Sequence, residues 1–238
     1  MNKLRSIKVI VFDADDTLWA LQNFFDEVEQ KYCDMLSDYG NKSRISKELL
    51  ATETKNIDDL GYGCKAFIIS MIENAIKVSG GEVCAAKIES VIGLGKRLLH
   101  IDAKPLDGVV ETLKYLYNVQ CGNGERKYRL VLFTKGDLLD QEKKLQRSGL
   151  REYFDAVRIV SSKTIGEYRK LCQVFDVTPE MMMMVGNSFK SDIAPALEAG
   201  FCAAHIPFFA TWAHENVEEY EHAKLYRLKN IRELMALL

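Results

Sequence analysis

The sequence predicts an α/β fold: a parallel β-sheet with helices on both faces, interrupted after its first strand by an all-helical insert. Two observations carry this. Short apolar, β-branched runs that end in polar residues recur along the chain with amphipathic helical stretches between them. Residues 20–102 break that rhythm, because they hold several amphipathic stretches and no convincing strand.

The first run, residues 7–12 (IKVIVF), stops abruptly at Asp13 and reads as a buried parallel strand whose carboxyl end carries acids. Residues 129–134 (RLVLFT), 156–160 (AVRIV) and 181–185 (MMMMV) look alike, and residues 201–206 form a weaker fifth. The methionines read as strand core, since Met fills irregular gaps. Helical patterns cover residues 137–149, 164–175 and 190–199, with Gly149 and Gly200 placed to end two of them. Within the insert, amphipathic stretches span 23–39, 46–57, 66–78 and 82–100, punctuated by Gly40, Gly61, Gly63, Gly80 and Gly81. Pro105, Asp107 and Gly108 mark the return. The expected division is a core of residues 1–19 and 103–238 with a helical unit of 20–102.

Composition excludes several classes. With 238 residues, 47% hydrophobic and 28% charged, the chain can bury a sizeable core. Its formal net charge is −2, from 32 basic and 34 acidic residues without a long block of one sign, which argues against a nucleic-acid partner. The six cysteines form no C-x-x-C pair and are expected reduced and mostly packed. The longest apolar stretch, residues 201–213, is interrupted by His205 and Pro207, and a membrane span needs about 20 apolar residues. The start of the chain does not read as a signal peptide, so the expected location is cytoplasmic. His100, His205, His214 and His222 are scattered and read as structural or surface residues.

Open α/β sheets bind ligands at the carboxyl ends of their strands. Those ends present Asp13, Asp15, Asp16 and Thr17 after the first strand, and Thr134 and Lys135 after the second. Ser161, Ser162 and Lys163 follow the third, and Asn187, Ser188 and Asp192 the fourth. All suit an oxyanion or a hard cation. Asp13 stands at the strand tip, and a carboxylate there can attack phosphorus and form an acyl phosphate. Asp15 lies two residues on, where side chains of an extended segment point the same way, and can serve as general acid and base.

The same residues resemble the haloacid dehalogenase-like hydrolases. Asp13-Ala14-Asp15-Asp16-Thr17-Leu18 resembles that family's first motif, Thr134 after LVLF the second, Lys163 the third, and Gly186 to Asp192 (GNSFKSD) the fourth. The four occur in family order across the chain. The resemblance implies a Rossmann-like core with a helical cap between the first two motifs. It implies Asp13 as nucleophile, Asp15 as proton donor, and Thr134 and Lys163 on the phosphoryl group, with Lys135 assisting. It also implies Mg²⁺ held by Asp13, the backbone of Asp15 and Asp192, with Asn187 nearby. Asn187 departs from the commoner aspartate. Asp16 stands where the family commonly has glycine, and turn or capping work is expected of it. With Lys163, the metal would balance the charges of Asp13, Asp15 and Asp192 before a phosphate arrives.

The expected activity is hydrolysis of a small phosphate ester by a monomer or homodimer, with no nucleic acid or membrane involved. Rival readings are a phosphosugar mutase, a 2-haloacid dehalogenase and a non-catalytic binding relative; the paired acids Asp15 and Asp192 speak against the dehalogenase. Trp19 suits either the entrance or the core. In residues 56–67 (NIDDLGYGCKAF), Tyr62 and Lys65 are the candidates to meet the leaving group.

Overall fold

The computed structural model describes residues 3–238. Its centre is a six-stranded parallel sheet in the order β3-β2-β1-β4-β5-β6. The strands are β1 (Val9–Phe12), β2 (Arg129–Lys135), β3 (Ala156–Val160), β4 (Met182–Gly186), β5 (Cys202–His205) and β6 (Leu225–Arg227). β1 is the central strand, and Phe12 pairs with Leu132 on one side and Val185 on the other. Its four residues are fully buried, as the continuous apolar run VIVF requires of a parallel strand covered on both faces. Ile10 and Phe12 join one apolar cluster with Leu130, Leu132 and Met183. Val9 and Val11 join another, on the opposite face, with Val131, Phe133, Met182 and Met184. The methionine run therefore fills both faces of β4.

Between β1 and β2 the chain forms α1 (Gln22–Met35), α2 (Lys42–Leu60), α3 (Cys64–Val78) and α4 (Ala85–Lys96). These helices close on their own apolar cluster, which includes Tyr32, Ile45, Leu49, Phe67 and Met71. Asn74 and Tyr32 are tied inside it: the Tyr32 hydroxyl donates to the Met71 carbonyl at 2.9 Å and accepts from Asn74 Nδ2 at 2.9 Å. The remaining helices are α5 (Val109–Asn118), α6 (Leu138–Ser148), α7 (Ile165–Phe175), α8 (Ala194–Glu198) and α9 (Leu234–Leu237). Asp137 caps α6 by accepting the Asp140 N–H at 3.1 Å, and Gly149 ends it in the left-handed region.

Several departures from the sequence expectations have local causes. α2 starts at Lys42 because Asn41 caps it, accepting the Arg44 N–H at 2.9 Å. The expected helix over residues 190–199 is instead a five-residue wide turn, Phe189–Ile193, leading into α8. Pro195 has no N–H to continue a regular helix backwards, and the widened turn aims Asp192 inward. α5 and the three-residue β6 went unpredicted. Of the six cysteines, Cys33, Cys64 and Cys202 are buried, Cys172 is half-buried, and Cys84 and Cys121 are exposed. Among the described residues no helix is long and apolar enough to cross a membrane.

Candidate active site

Asp13 leaves the tip of β1 with its N–H bonded to the Val185 carbonyl at 2.9 Å. Ala14 is packed in the core, so Asp13 and Asp15 both face one cavity over the sheet tips. The chain then turns back, with Leu18 N–H donating to the Ala14 carbonyl at 2.8 Å. That turn sets the Thr17 hydroxyl 3.0 Å from Asp13 Oδ2 and 3.2 Å from Asn187 Oδ1. Lys163, from the loop after β3, is buried with its ammonium on Asp13 Oδ1 and 2.6 Å from Asp192 Oδ1. Asp192 accepts the Ser188 N–H at 3.0 Å. It packs so closely on Gly186 that a Cβ there would stand 2.3 Å from its Oδ2, which explains the glycine at the end of β4.

Asp15 is clamped by three side chains. Lys144 Nζ lies 2.8 and 3.0 Å from its two oxygens, Gln141 Nε2 donates at 2.7 Å, and the Trp19 indole N–H at 2.8 Å. Trp19 is therefore core, not entrance. Lys144 also lies 3.4 Å from Asp140. Burial opposes its charge, but Asp15 and Asp140 outweigh that and raise its pKa. Asp16 sits at φ 62, the left-handed region that favours glycine and that Asp tolerates. Its carboxylate accepts the N–H groups of Leu21 (2.7 Å) and Gln22 (3.1 Å) at the start of α1, so its expected turn and capping work is observed.

Among the described residues, Asp13, Asp15, Asp140 and Asp192 pair with two ammonium groups, Lys144 and Lys163. Burial, and next the charge of Asp192, push Asp13 up to about 7 against the pull of Lys163. Among the described residues no three His, Cys, Asp or Glu side chains form a metal cluster. Asp13 and Asp192 nevertheless share Lys163, and Asp13 and Asn187 share Thr17. Two carboxylates with amide, backbone and water oxygens are the donor set that Mg²⁺ accepts, so the residues fit that ion.

A pH dependence follows. Asp13 is raised above its ordinary 3.8, so the folded protein binds the extra proton between 3.8 and about 7. Its contribution to stability is complete below 3.8 and is lost as pH rises to about 7. Asp16, pushed to about 7 chiefly by burial, acts in the same direction. A cation on Asp13 would favour its ionised form, so any Tm gain from Mg²⁺ bound there is expected to grow between pH 5 and pH 8. Thermal unfolding with and without the ion checks this; a gain independent of pH would place the ion elsewhere.

Thr134, at the end of β2, is buried and accepts from Gln141 Nε2 at 3.2 Å. Lys135 lines the cavity, but its ammonium is taken up by Glu215 and by Ser191 Oγ at 2.9 Å. It lies 4.1 Å from the centre of the Tyr62 ring, which reaches over from the helical segment. Glu215 also accepts from Ser188 and Ser191. Burial alone would raise it, yet Lys135 and the two hydroxyls hold it at about 2. Asp13, Asp15, Thr134, Lys135, Lys163, Asn187, Asp192 and Tyr62 thus share one cavity. Lys65 does not line it. Lys65 pairs with Asp137 at 3.0 Å, because the first turn of α3 points it outward across the rim of the core.

Thr17, Gln141, Lys144 and Glu215 were not assigned roles from sequence. Thr17 lay within the first motif. Gln141 and Lys144 had one readable signal: with Leu145 and Ser148 they share the buried face of α6, where polar residues need a partner. Glu215 had none, ending a three-residue 3-10 turn, Ala213–Glu215, between β5 and β6.

A Rossmann-like sheet with acids and lysines converging on a cavity at its strand tips, walled in part by α1, α2 and α3, is the arrangement of an α/β enzyme. The chain belongs to the haloacid dehalogenase-like hydrolases, whose family profile matches residues 7–200. It is 22% identical to glyceraldehyde 3-phosphate phosphatase of Methanothermobacter thermautotrophicus, over 98% of this chain and all of that protein. A haloacid dehalogenase-like family hydrolase from Xanthomonas campestris has a similar structure, with TM-score 0.85 and 29% identity over 97% of this chain and 90% of that one. The L-2-haloacid dehalogenase of Xanthobacter autotrophicus shares the fold, with TM-score 0.63 and 17% identity over 97% of this chain and 98% of that one.

Proposed function

We propose that this hydrolase cleaves small phosphomonoesters, with Mg²⁺ as cofactor and an aspartyl-phosphate on Asp13. The observation that supports it most is the buried Asp13–Lys163–Asp192 cluster facing a cavity that also holds a second, separately clamped acid, Asp15. The full-length likeness to a phosphatase agrees with it. In this reading residues 20–102 are a cap over the core of 1–19 and 103–238.

The Asp13 carboxylate attacks phosphorus as the bond from phosphorus to the leaving oxygen breaks, and that oxygen takes a proton from Asp15. Asp15 then takes a proton from water, which attacks the same phosphorus. Phosphate leaves and the Asp13 carboxylate returns. Lys163 and the Thr134 hydroxyl offset charge on the phosphoryl oxygens. Mg²⁺, held by Asp13, Asp192, the Asp15 backbone and Asn187, would supply positive charge to the phosphoryl group.

Lys144, Gln141 and Trp19 hold Asp15 in line. Lys144→Met is accordingly expected to lower kcat by about 10- to 100-fold, with a smaller change in KM, by loosening a positioned acid. Steady-state kinetics with Mg²⁺ check this; an unchanged kcat would remove Asp15 from the chemistry.

The test of the reading as a whole is release of inorganic phosphate from phosphorylated metabolites and an aryl phosphate in Mg²⁺. Release of phosphate, rather than conversion to an isomeric phosphate, separates it from a mutase. No release from any ester, with the purified protein folded and Mg²⁺ present, would sink it.

A further inference from the structure

The cavity has two chemically different ends. On the core side its lysines are all committed: Lys163 to Asp13 and Asp192, Lys144 to Asp15 and Asp140, and Lys135 to Glu215. On the helical side the walls are apolar, built from Phe25 of α1, Ile57 of α2 and Phe67 of α3. No lysine, arginine or histidine lines that side among the described residues. It does hold a carboxylate, Glu53 of α2. Glu53 makes no hydrogen bond or ion pair among the described residues. The Ser70 hydroxyl donates to the Ala66 carbonyl at 2.9 Å and accepts from Asn56 Nδ2 at 3.1 Å, and Asn56 also donates to Glu73.

We infer that this side is a subsite for a leaving group with an apolar body and an ammonium group that pairs with Glu53. As a statement about substrate, it rests on the phosphomonoesterase reading above. A half-buried acid among apolar side chains needs a donor, and a cationic one satisfies it best. Burial, reinforced by the charge of Glu29, pushes Glu53 up to about 8, which is the condition an approaching ammonium relieves. The same wall opposes a second anionic group, since among the described residues no uncommitted cation lines it.

Three phenols with one ring and different tails test the subsite without any turnover: tyramine (ammonium), 4-ethylphenol (neutral) and 3-(4-hydroxyphenyl)propanoate (carboxylate). Calorimetric binding in Mg²⁺ and phosphate is expected to rank them in that order, with tyramine about tenfold or more ahead of 4-ethylphenol. In Glu53→Gln the tyramine advantage is expected to fall to about twofold. Reading the ratio of two ligands on each protein cancels any general loss of binding. Equal affinities in the native protein, or a preference that survives Glu53→Gln, would overturn the subsite. The phosphate esters of the same phenols read the reaction separately. Preferential tyramine binding with no phosphate release from any ester leaves the subsite standing and removes the phosphatase reading. Release from all three esters with no preference among the phenols does the reverse.

Discussion

Asp13→Asn is expected to lower phosphate release by at least about 10⁴-fold, roughly 5.5 kcal/mol of transition-state stabilisation, while leaving the protein as stable as before or more so at pH 8. The two halves of this result have one cause. An amide oxygen is a poor nucleophile and cannot carry the phosphoryl group, so both chemical steps are lost together. The same change removes a buried charge that the fold holds reluctantly, since Asp13 lies at about 7 through burial and the nearby charge of Asp192. Asn keeps an oxygen for the Thr17 hydroxyl, now 3.0 Å from Asp13 Oδ2. Phosphate release and Tm at pH 8, measured on one preparation, check it. Native protein quenched in acid during turnover should carry a phosphoryl adduct by mass spectrometry, and the variant should not. Appreciable turnover by Asp13→Asn would move the nucleophile elsewhere.

Lys163→Met is expected to lower kcat/KM by about 10³-fold, roughly 4 kcal/mol, and unlike the first variant it should also weaken the fold. Lys163 is buried between Asp13 and Asp192. Methionine matches its length but leaves two carboxylates facing each other away from water. Breaking a buried ion pair from one side costs about 3–5 kcal/mol, mostly through the charges left behind. The loss depends on pH. Asp13, already raised, rises further without Lys163, so its favourable contribution is complete below 3.8 and disappears as pH climbs through its folded value. The variant should therefore lose more Tm at pH 8 than at pH 5. In the double variant Asp13→Asn/Lys163→Met the stability loss should be partly relieved, because the two residues share one interaction. A Lys163→Met protein with native Tm at pH 8 would contradict the paired cluster.

How much of this was legible beforehand varies with how local the cause is. β1 could be read from VIVF and the acids after it, because a central parallel strand is apolar on both faces and its tip is the one place where polar groups gather. The capping work of Asp16 was also local, set by hydrogen bonds to N–H groups five and six residues away. Lys163 was legible only through its place among the motifs, since an isolated lysine in a loop is ordinarily solvated. Lys144 lies 129 residues from Asp15, its counterion. The helical period of EKKLQRSGL sets Lys144 beside Leu145 and Ser148 on the buried face of α6, but nothing in it says which acid the lysine meets. Lys65 misled for the related reason that its neighbour Tyr62 does line the cavity while the helix start turns Lys65 away.

By itself, then, the sequence determined the alternation of strands and helices, the helical interruption, and the acids at the strand tips. These follow from periodicity and from chain neighbours, which act over a few residues. Only the tertiary structure decided that Lys144 clamps Asp15, that Glu215 occupies Lys135, and that Glu53 has no partner among the described residues on an apolar wall. Those facts depend on charges brought together across long stretches of chain, where electrostatic pairing in a dry interior outweighs any preference a single residue carries.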